Sequence, residues 1–458
     1  MQIESASRRR FLQTASLLCM LGALPRTAAA LVPDGDAPLA RILTLSDQHS
    51  AYERAAQLLS AFRAEVATNP APHVILINGD LFEHGNVVSV RSEGAIDWAF
   101  LAALPSIAPT VFNLGNHDND LMLDLHEVVA KIRSLGIQVI SNIHDARTGQ
   151  AYAKASVTVP VSDRSIRVVG IATDALHTYP KASREWLSIP APADWAQTHL
   201  AQHLEGADLT LVASHAGVVP DRDILPMLPQ GALMIGGHNH LRFEHVDATF
   251  TYAHTGSWNN FYTVAEYHAN RLPSVISKPV GLFAPSDPAL AELTAATLAQ
   301  HLTDQDRRIL GIAPETLSLA ETGRRLAKGM AEVAGTDMGL IGHTTLGTGL
   351  QAGPVQQFDF DAVVRFDGKL MTAMITHEQL ALILKRVNQD RPMSLSDRTG
   401  DFAYASEAPP SGTSVISIAT NDWCAMNQHE YFGTTDIVFT EAPSAGIKAI
   451  SSSVLLNG

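Results

Sequence analysis

At 458 residues the chain is too long for one ordinary hydrophobic core. Apolar residues make up 46% and charged residues 17%, which excludes a disordered chain, and past the N-terminus no apolar run reaches the ~18 residues of a spanning helix. The formal charge of −14 excludes a general affinity for polymeric nucleic acid and leaves any anionic substrate dependent on local positive charge, such as metal ions supply.

The first element is a leader. Arg8, Arg9 and Arg10 precede an apolar segment from Phe11 to Pro25, and small residues Ala28-Ala29-Ala30 follow. This is the layout of a secretory signal over residues 1–30, and Ser7-Arg8-Arg9-Arg10-Phe11-Leu12 resembles the twin-arginine export motif. It implies the twin-arginine machinery as a partner and a periplasmic destination. Discounting its four arginines and one glutamate takes the charge from −14 to −17. Cys19 lies in the leader, so Cys424 alone remains and an intrachain disulfide is excluded.

From Arg41 onward, short apolar runs alternate with longer amphipathic ones. RILTLS, HVILING, PTVFNLG, IQVIS, SIRVVGIA, LTLVASH, ALMIGG and ATFTYAHTG read as strands. AYERAAQLLSAFRAEVA and DLHEVVAKIRSLG read as helices, the second stopped by Gly136. The alternation predicts a layered α/β domain over residues 31–275. NRLPSVISKPVGLFAPSDPAL reads as a connector, and PALAELTAATLAQHL as a linking helix, together spanning 276–304. A smaller α+β domain is expected over 305–458, with a helix in SLAETGRRLAKGMAEVAG, strand and loop in VQQFDFDAVVRFDG, and a strand in SVISIATNDW.

Five of the expected strands end alike. RILTLS runs into Asp47 and His49, HVILIN into Gly79-Asp80, and PTVFNL into Gly115-Asn116-His117-Asp118. LTLVAS ends in His215, and ALMIGG is followed by His238-Asn239-His240. In open α/β folds the site lies at the carboxyl ends of the strands, so these groups converge. Imidazoles and carboxylates without lysine or arginine suit cations, of the Zn, Mn or Fe class. Seven such groups exceed one tetrahedral ion and fit two ions about 3.5–4 Å apart.

In this order, DQH, GD, GNHD, H and GHNH resemble the five motifs of the calcineurin-like metallophosphoesterases, and GNHDND with ATNDW resembles the 5'-nucleotidase branch. The resemblance implies that Asp47, His49 and His240 hold one metal, that Asn116, His215 and His238 hold the other, and that Asp80 bridges them. It implies a His117–Asp120 dyad beside the metals and hydrolysis of a small phosphate ester, most simply a nucleotide, by metal-activated water. Asp118 stands where the family has Glu, and His84 is placed to line the mouth of the site. The family's Gly-Gly-x-Arg segment aligns with GLIGHTTLGTG, which has no arginine. Arg365 is therefore the substitute phosphate contact, with Phe366, Tyr431 and Phe432 as aromatic platforms for a base. The missing arginine keeps open a nucleotide-sugar or cyclic-nucleotide substrate, and a periplasmic thiosulfohydrolase as the alternative function. With every metal-type group before residue 241 and every aromatic platform after 360, chemistry and recognition are expected to separate, so that a fragment ending near Pro279 keeps its metals.

Overall fold

The computed structural model describes residues 37–408 and 415–457; the leader lies outside them. Residues from Pro38 onward form one compact unit, and no described helix is long and apolar enough to cross a membrane.

Two six-stranded sheets are stacked face to face. In chain order their strands are β1 (Ala40–Leu45), β2 (His73–Asn78), β3 (Thr110–Asn113), β4 (Gln138–Ile140), β5 (Ser156–Val161), β6 (Arg164–Ala172), β7 (Leu209–His215), β8 (Ala232–Gly236), β9 (Arg242–Val246), β10 (Phe250–Thr255), β11 (Phe261–Tyr267) and β12 (Ser274–Pro279). The first sheet runs β12-β11-β1-β2-β3-β4 and the second β9-β10-β8-β7-β6-β5. Each has four parallel strands, β1 to β4 in one and β10, β8, β7 and β6 in the other, with antiparallel pairing at one edge of the first sheet and at both edges of the second.

Parallel strands covered on both faces need apolar residues on both, which is why β1, β2, β7 and β8 read as continuous runs. Ile42, Val74, Leu76 and Val111 face inward against Ile166, Val168, Leu211 and Leu233 of the other sheet. Leu43, Leu45, Ile75, Ile77 and Phe112 face outward under the helices Ala55–Thr68 and Leu125–Ser134. On the far side, Val169, Val212 and Met234 pack under the helix Pro192–Leu204.

That far-side core does not stop there. It runs on into Leu326, Ile341, Leu346, Phe360 and Phe402, so the second sheet and the C-terminal part share one apolar cluster. The C-terminal part is itself mixed α+β. Its larger sheet has five strands, ordered Ala403–Ala405, Met338–Gly342, Ile416–Asn421, Leu370–Ile375, Thr440–Glu441. The helix Leu319–Ala334 covers it, opened by a Ser318–Glu321 capping box and closed by left-handed Gly335.

Two expected elements differ. The stretch expected to be a connector contains β12, which pairs antiparallel with β11 from Ser274↔Glu266 to Pro279↔Phe261. It is a half-exposed edge strand, so it carries no apolar run to mark it, and its prolines sit where an edge tolerates them. In VQQFDFDAVVRFDG, the alternating Phe358 and Phe360 suggest a strand, but Gln357–Val363 is a helix. Burial of Phe360 and Val363, three apart, decides it over the local pattern.

One buried carboxyl makes the fold pH-sensitive. Ser89 Oγ donates to Asp97 Oδ2 at 2.7 Å, Oδ1 has no partner, and burial pushes the group up to about 7. A folded-state value above the unfolded one gives stability that is complete below about pH 4 and lost as the pH rises to about 7. Asp97→Asn should remove that loss. The advantage of the variant in urea unfolding should grow by roughly 4 kcal/mol between pH 4 and pH 8; a pH-independent difference would contradict the assignment.

A candidate metal centre

The carboxyl ends of β1, β2, β3, β7 and β8 meet above the inter-sheet core, and two buried asparagines tie them there. Asn78 Nδ2 donates to the carbonyls of Ser214 and Ile235 at 2.9 and 3.0 Å. Asn113 Nδ2 donates to Asn78 Oδ1 and to Ile171 and Ala213 carbonyls at 3.0 to 3.1 Å. Buried amides must be satisfied, and the carbonyls they reach belong to strands of the other sheet, which fixes the two sheets' relative position under the site.

The backbone then turns sharply. Among the described residues eleven non-glycines adopt left-handed φ, and eight lie here: Asp47, His49, Ser50, Asp80, His238, His240, Trp258 and Asn259. Each such residue costs about 1–3 kcal/mol, and such strain gathers at functional sites. Gly79 makes the turn into Asp80 at φ +79; a Cβ there would meet His215 Nδ1 at 2.5 Å and Gly115 Cα at 2.8 Å, so no side chain fits.

The structure brings the sequence-derived candidates together in overlapping groups. Asp47, His49 and His240 offer ligand atoms within 4.8 Å of one another, as do His49, Asp80 and His117, and Asp80, His215 and His238. His49 Nε2 and His240 Nε2 are 2.8 Å apart, and Asp80 Oδ2 lies 3.1 Å from His215 Nε2 and 3.9 Å from His49 Nε2. Asp80 thus stands between the two sets of histidines. Asn116 Oδ1 lies 2.9 Å from His238 Nδ1 while its Nδ2 donates to the Thr178 carbonyl at 3.4 Å.

These donors fit divalent cations. His215 Nδ1 donates to the Asn78 carbonyl at 2.7 Å, which turns its fully buried Nε2 toward Asp80 Oδ2 at 3.1 Å and Asp47 Oδ1 at 3.7 Å. His49 Nε2 and His240 Nε2 also meet at 2.8 Å, beside the Asp47 carboxylate. Burial works against the charge on Asp80, but the His215 and His117 imidazoles hold its carboxyl well below the usual range. Burial raises Asp47, although His215 and Ser46 beside it act the other way. Burial of His238 lowers it to about 4, aided by His215, which keeps the ring neutral with one nitrogen lone pair free.

His117 and Asp120 pair at 3.0 Å between Nδ1 and Oδ2, and the His84 amide donates to the same Asp120 oxygen at 3.0 Å. Burial would lower His117, but Asp80 and Asp120 prevail and push it up to about 10. Its backbone N–H donates to Asp80 Oδ1 at 2.7 Å.

Several groups that matter here left little trace in the sequence. Asp118 is buried and accepts the Gly115 and Leu81 amides at 2.6 and 2.8 Å and the Asp80 amide at 3.2 Å. It holds the turn that carries Asp80; its place inside GNHD was the signal. Glu83, beside the noted His84, lies with Oε2 3.2 Å from His49 Nδ1. Trp258 stacks on His49 with centroids 4.8 Å apart, and GSWNN carries no pattern that announces it.

Of the donors, His49, Asp80, Asn116, His238 and His240 form part of the wall of one cavity of about 700 Å³. His84 and the loop His177–Arg184 line it, as do Thr344, Arg365, Phe366, Asp401, Asp422, Trp423, Met426 and Tyr431. The expected recognition residues fare unequally. Phe366 is half-exposed in the cavity. Arg365 reaches it but is ion-paired with Glu83. Tyr431 is buried, and its hydroxyl contacts Thr344 Oγ1 at 2.8 Å and accepts from Trp423 Nε1 at 3.3 Å, so it supports Trp423 instead of offering a ring face. Phe432 is fully buried against Phe439 in the C-terminal core and does not line the cavity. The exposed ring in its place is Trp423, the last residue of the ATNDW stretch.

Residues 40–242 match the family model of the calcineurin-like phosphoesterases. No curated protein sequence matches the chain. Among solved structures, the chain resembles the 5'-nucleotidase precursor of Thermus thermophilus at 16% identity and a TM-score of 0.60, covering 91% of this chain and 96% of that one. It resembles the sulfate thiohydrolase SoxB of Thermus thermophilus at 14% identity and a TM-score of 0.62, over 91% and 94%. The 5'-nucleotidase of Candida albicans follows at 10% identity and 0.59, over 92% and 98%. At these identities the likeness is one of fold: a metallophosphoesterase layer and a C-terminal domain.

Proposed function

We propose, for a chain that belongs over residues 40–242 to the calcineurin-like phosphoesterases, that it is an exported two-metal hydrolase of small phosphate esters of the nucleotide class. The carrying observation is that one 700 Å³ cavity holds both the histidine–carboxylate cluster and the exposed rings of Phe366 and Trp423. Export rests on the leader residues alone, from Arg8 to Ala30.

Asp47, His49, Asp80, Asn116, His215, His238 and His240 would hold two divalent cations, which supply charge neutralisation of the ester and an activated water. The chain's own groups do the rest. Asp120 fixes the His117 ring through Nδ1 and so presents the other nitrogen to the cavity. His117 then delivers a proton to the leaving oxygen or offsets the charge developing on it. Phe366 and Trp423 offer faces on which a base can stack. Trp423→Ala should cost nucleotides about 1–3 kcal/mol in kcat/KM, the worth of a stacked base, and leave p-nitrophenyl phosphate near the parent. An equal loss on both would remove Trp423 from recognition.

A second reading, hydrolysis of a sulfur adduct, is favoured by one feature. Both cavity arginines are engaged: Arg365 by Glu83, and Arg184 by the carbonyls of Tyr179 and His177. The deciding assay compares phosphate released from nucleoside monophosphates with sulfate released from an S-thiosulfonate adduct. Phosphate release carries the proposal; sulfate release alone overturns it.

A further inference from the structure

One buried side chain at the metal centre comes from the far end of the sequence. Arg365 follows the helix Gln357–Val363, and its amide donates to the Thr345 carbonyl at 2.9 Å. It is only 6% exposed. Its guanidinium carbon lies 3.5 Å above the Trp258 ring, and its Nη1 pairs with Glu83 Oε2. Both neighbours bear on one imidazole. Trp258 stacks on His49 at an interplanar angle of 26°, and Glu83 Oε2 stands 3.2 Å from His49 Nδ1. The chain closes over this pair: a Cβ on Gly85 would come within 2.9 Å of Glu83 Oε1 and 3.0 Å of Arg365 Nη2.

We propose that Arg365 is a positioning residue for the metal centre, acting through Glu83 and Trp258 to fix the plane and tautomer of His49. The inference rests on the reading of His49 as a ligand. The Glu83 carboxylate 3.2 Å away favours a proton on Nδ1, which leaves the Nε2 lone pair on the side of Asp47 and His240. A carboxylate as buried as Glu83 holds that place only with a compensating cation. Lysine would supply the charge. Arginine supplies in addition a planar face, which lies over the indole here. The site is therefore built across the whole chain: the donors and the indole all lie before residue 260, and one side chain after 360 sets the orientation of a donor.

The alternative is that the ion pair only staples two parts of the fold. Full-length, metal-free protein titrated with Co²⁺, against a competing chelator and by visible absorption, separates the two. Glu83→Gln and Arg365→Met should each weaken cobalt binding about 10–100-fold and change the visible band. Either single variant leaves one charge uncompensated and risks the fold, so the double variant decides. With the pair replaced by neutral groups of similar size, its metal-free melting temperature should stay near the parent's. Its cobalt affinity should fall no further than that of the worse single variant. Arg365→Lys should fall between. Parental cobalt affinity and spectrum in the double variant would overturn the proposal. So would an affinity loss found only where metal-free stability is lost. A parent chain that binds no cobalt would instead overturn the metal centre itself.

Discussion

Asp80→Asn is expected to strip the site and stop turnover together. Asp80 Oδ2 stands 3.1 Å from His215 Nε2 and 3.9 Å from His49 Nε2, and it shares ligand-distance groups with both sets of histidines. Its other oxygen accepts the His117 amide, so the residue also joins the donors to the dyad. The amide is isosteric, but it removes a negative charge that faces both sets. Metal analysis after reconstitution with excess Mn²⁺ should fall from two ions per chain toward none, and phosphate release should fall at least as far. Two ions per chain with full turnover would show that Asp80 does not bridge.

His117→Asn should do the opposite to metal content. The ring lies beside the cluster and faces the cavity, and its Nδ1 is already committed to Asp120. Asparagine removes the proton-transferring group while leaving Asp47, Asp80 and the remaining histidines in place. Turnover should drop about 10²–10⁴-fold, the usual contribution of a positioned acid or base, with two ions per chain retained. The loss should be smaller for esters with good leaving groups such as p-nitrophenolate, which need little protonation. Loss of metal on this substitution would make His117 a ligand.

The convergence of the histidine–carboxylate cluster was legible because its logic is local. Each donor follows a buried parallel strand, and such strands advertise themselves as apolar runs. What was not legible depends on distant pairing. β12 shows as a strand only through its partner β11, and the helix Gln357–Val363 only through the burial of Phe360 and Val363. Glu83 lies next to the noted His84, but only the fold brings Arg365 and Trp258 to it. Phe432 lies in the core and Trp423 in the cavity wall, and neither ring's direction is written in its neighbours: one turns into the core with Phe439, the other into the cavity. The expected separability of the two parts has the same origin. A fragment ending near Pro279 would lose Arg365 and also Leu326, Ile341 and Phe402, which belong to the same apolar cluster as Val169, Val212 and Met234. Substitution in the full chain is therefore the sound test.

The central claim is that seven side chains from five strand ends hold two cations about Asp80. Anomalous diffraction at the manganese edge from Mn²⁺-soaked crystals tests it most directly. The account predicts two peaks flanking the Asp80 carboxylate, one within ligand distance of Asp47, His49 and His240, the other of Asn116, His215 and His238. A single peak, or two peaks ligated by other residues, would contradict it.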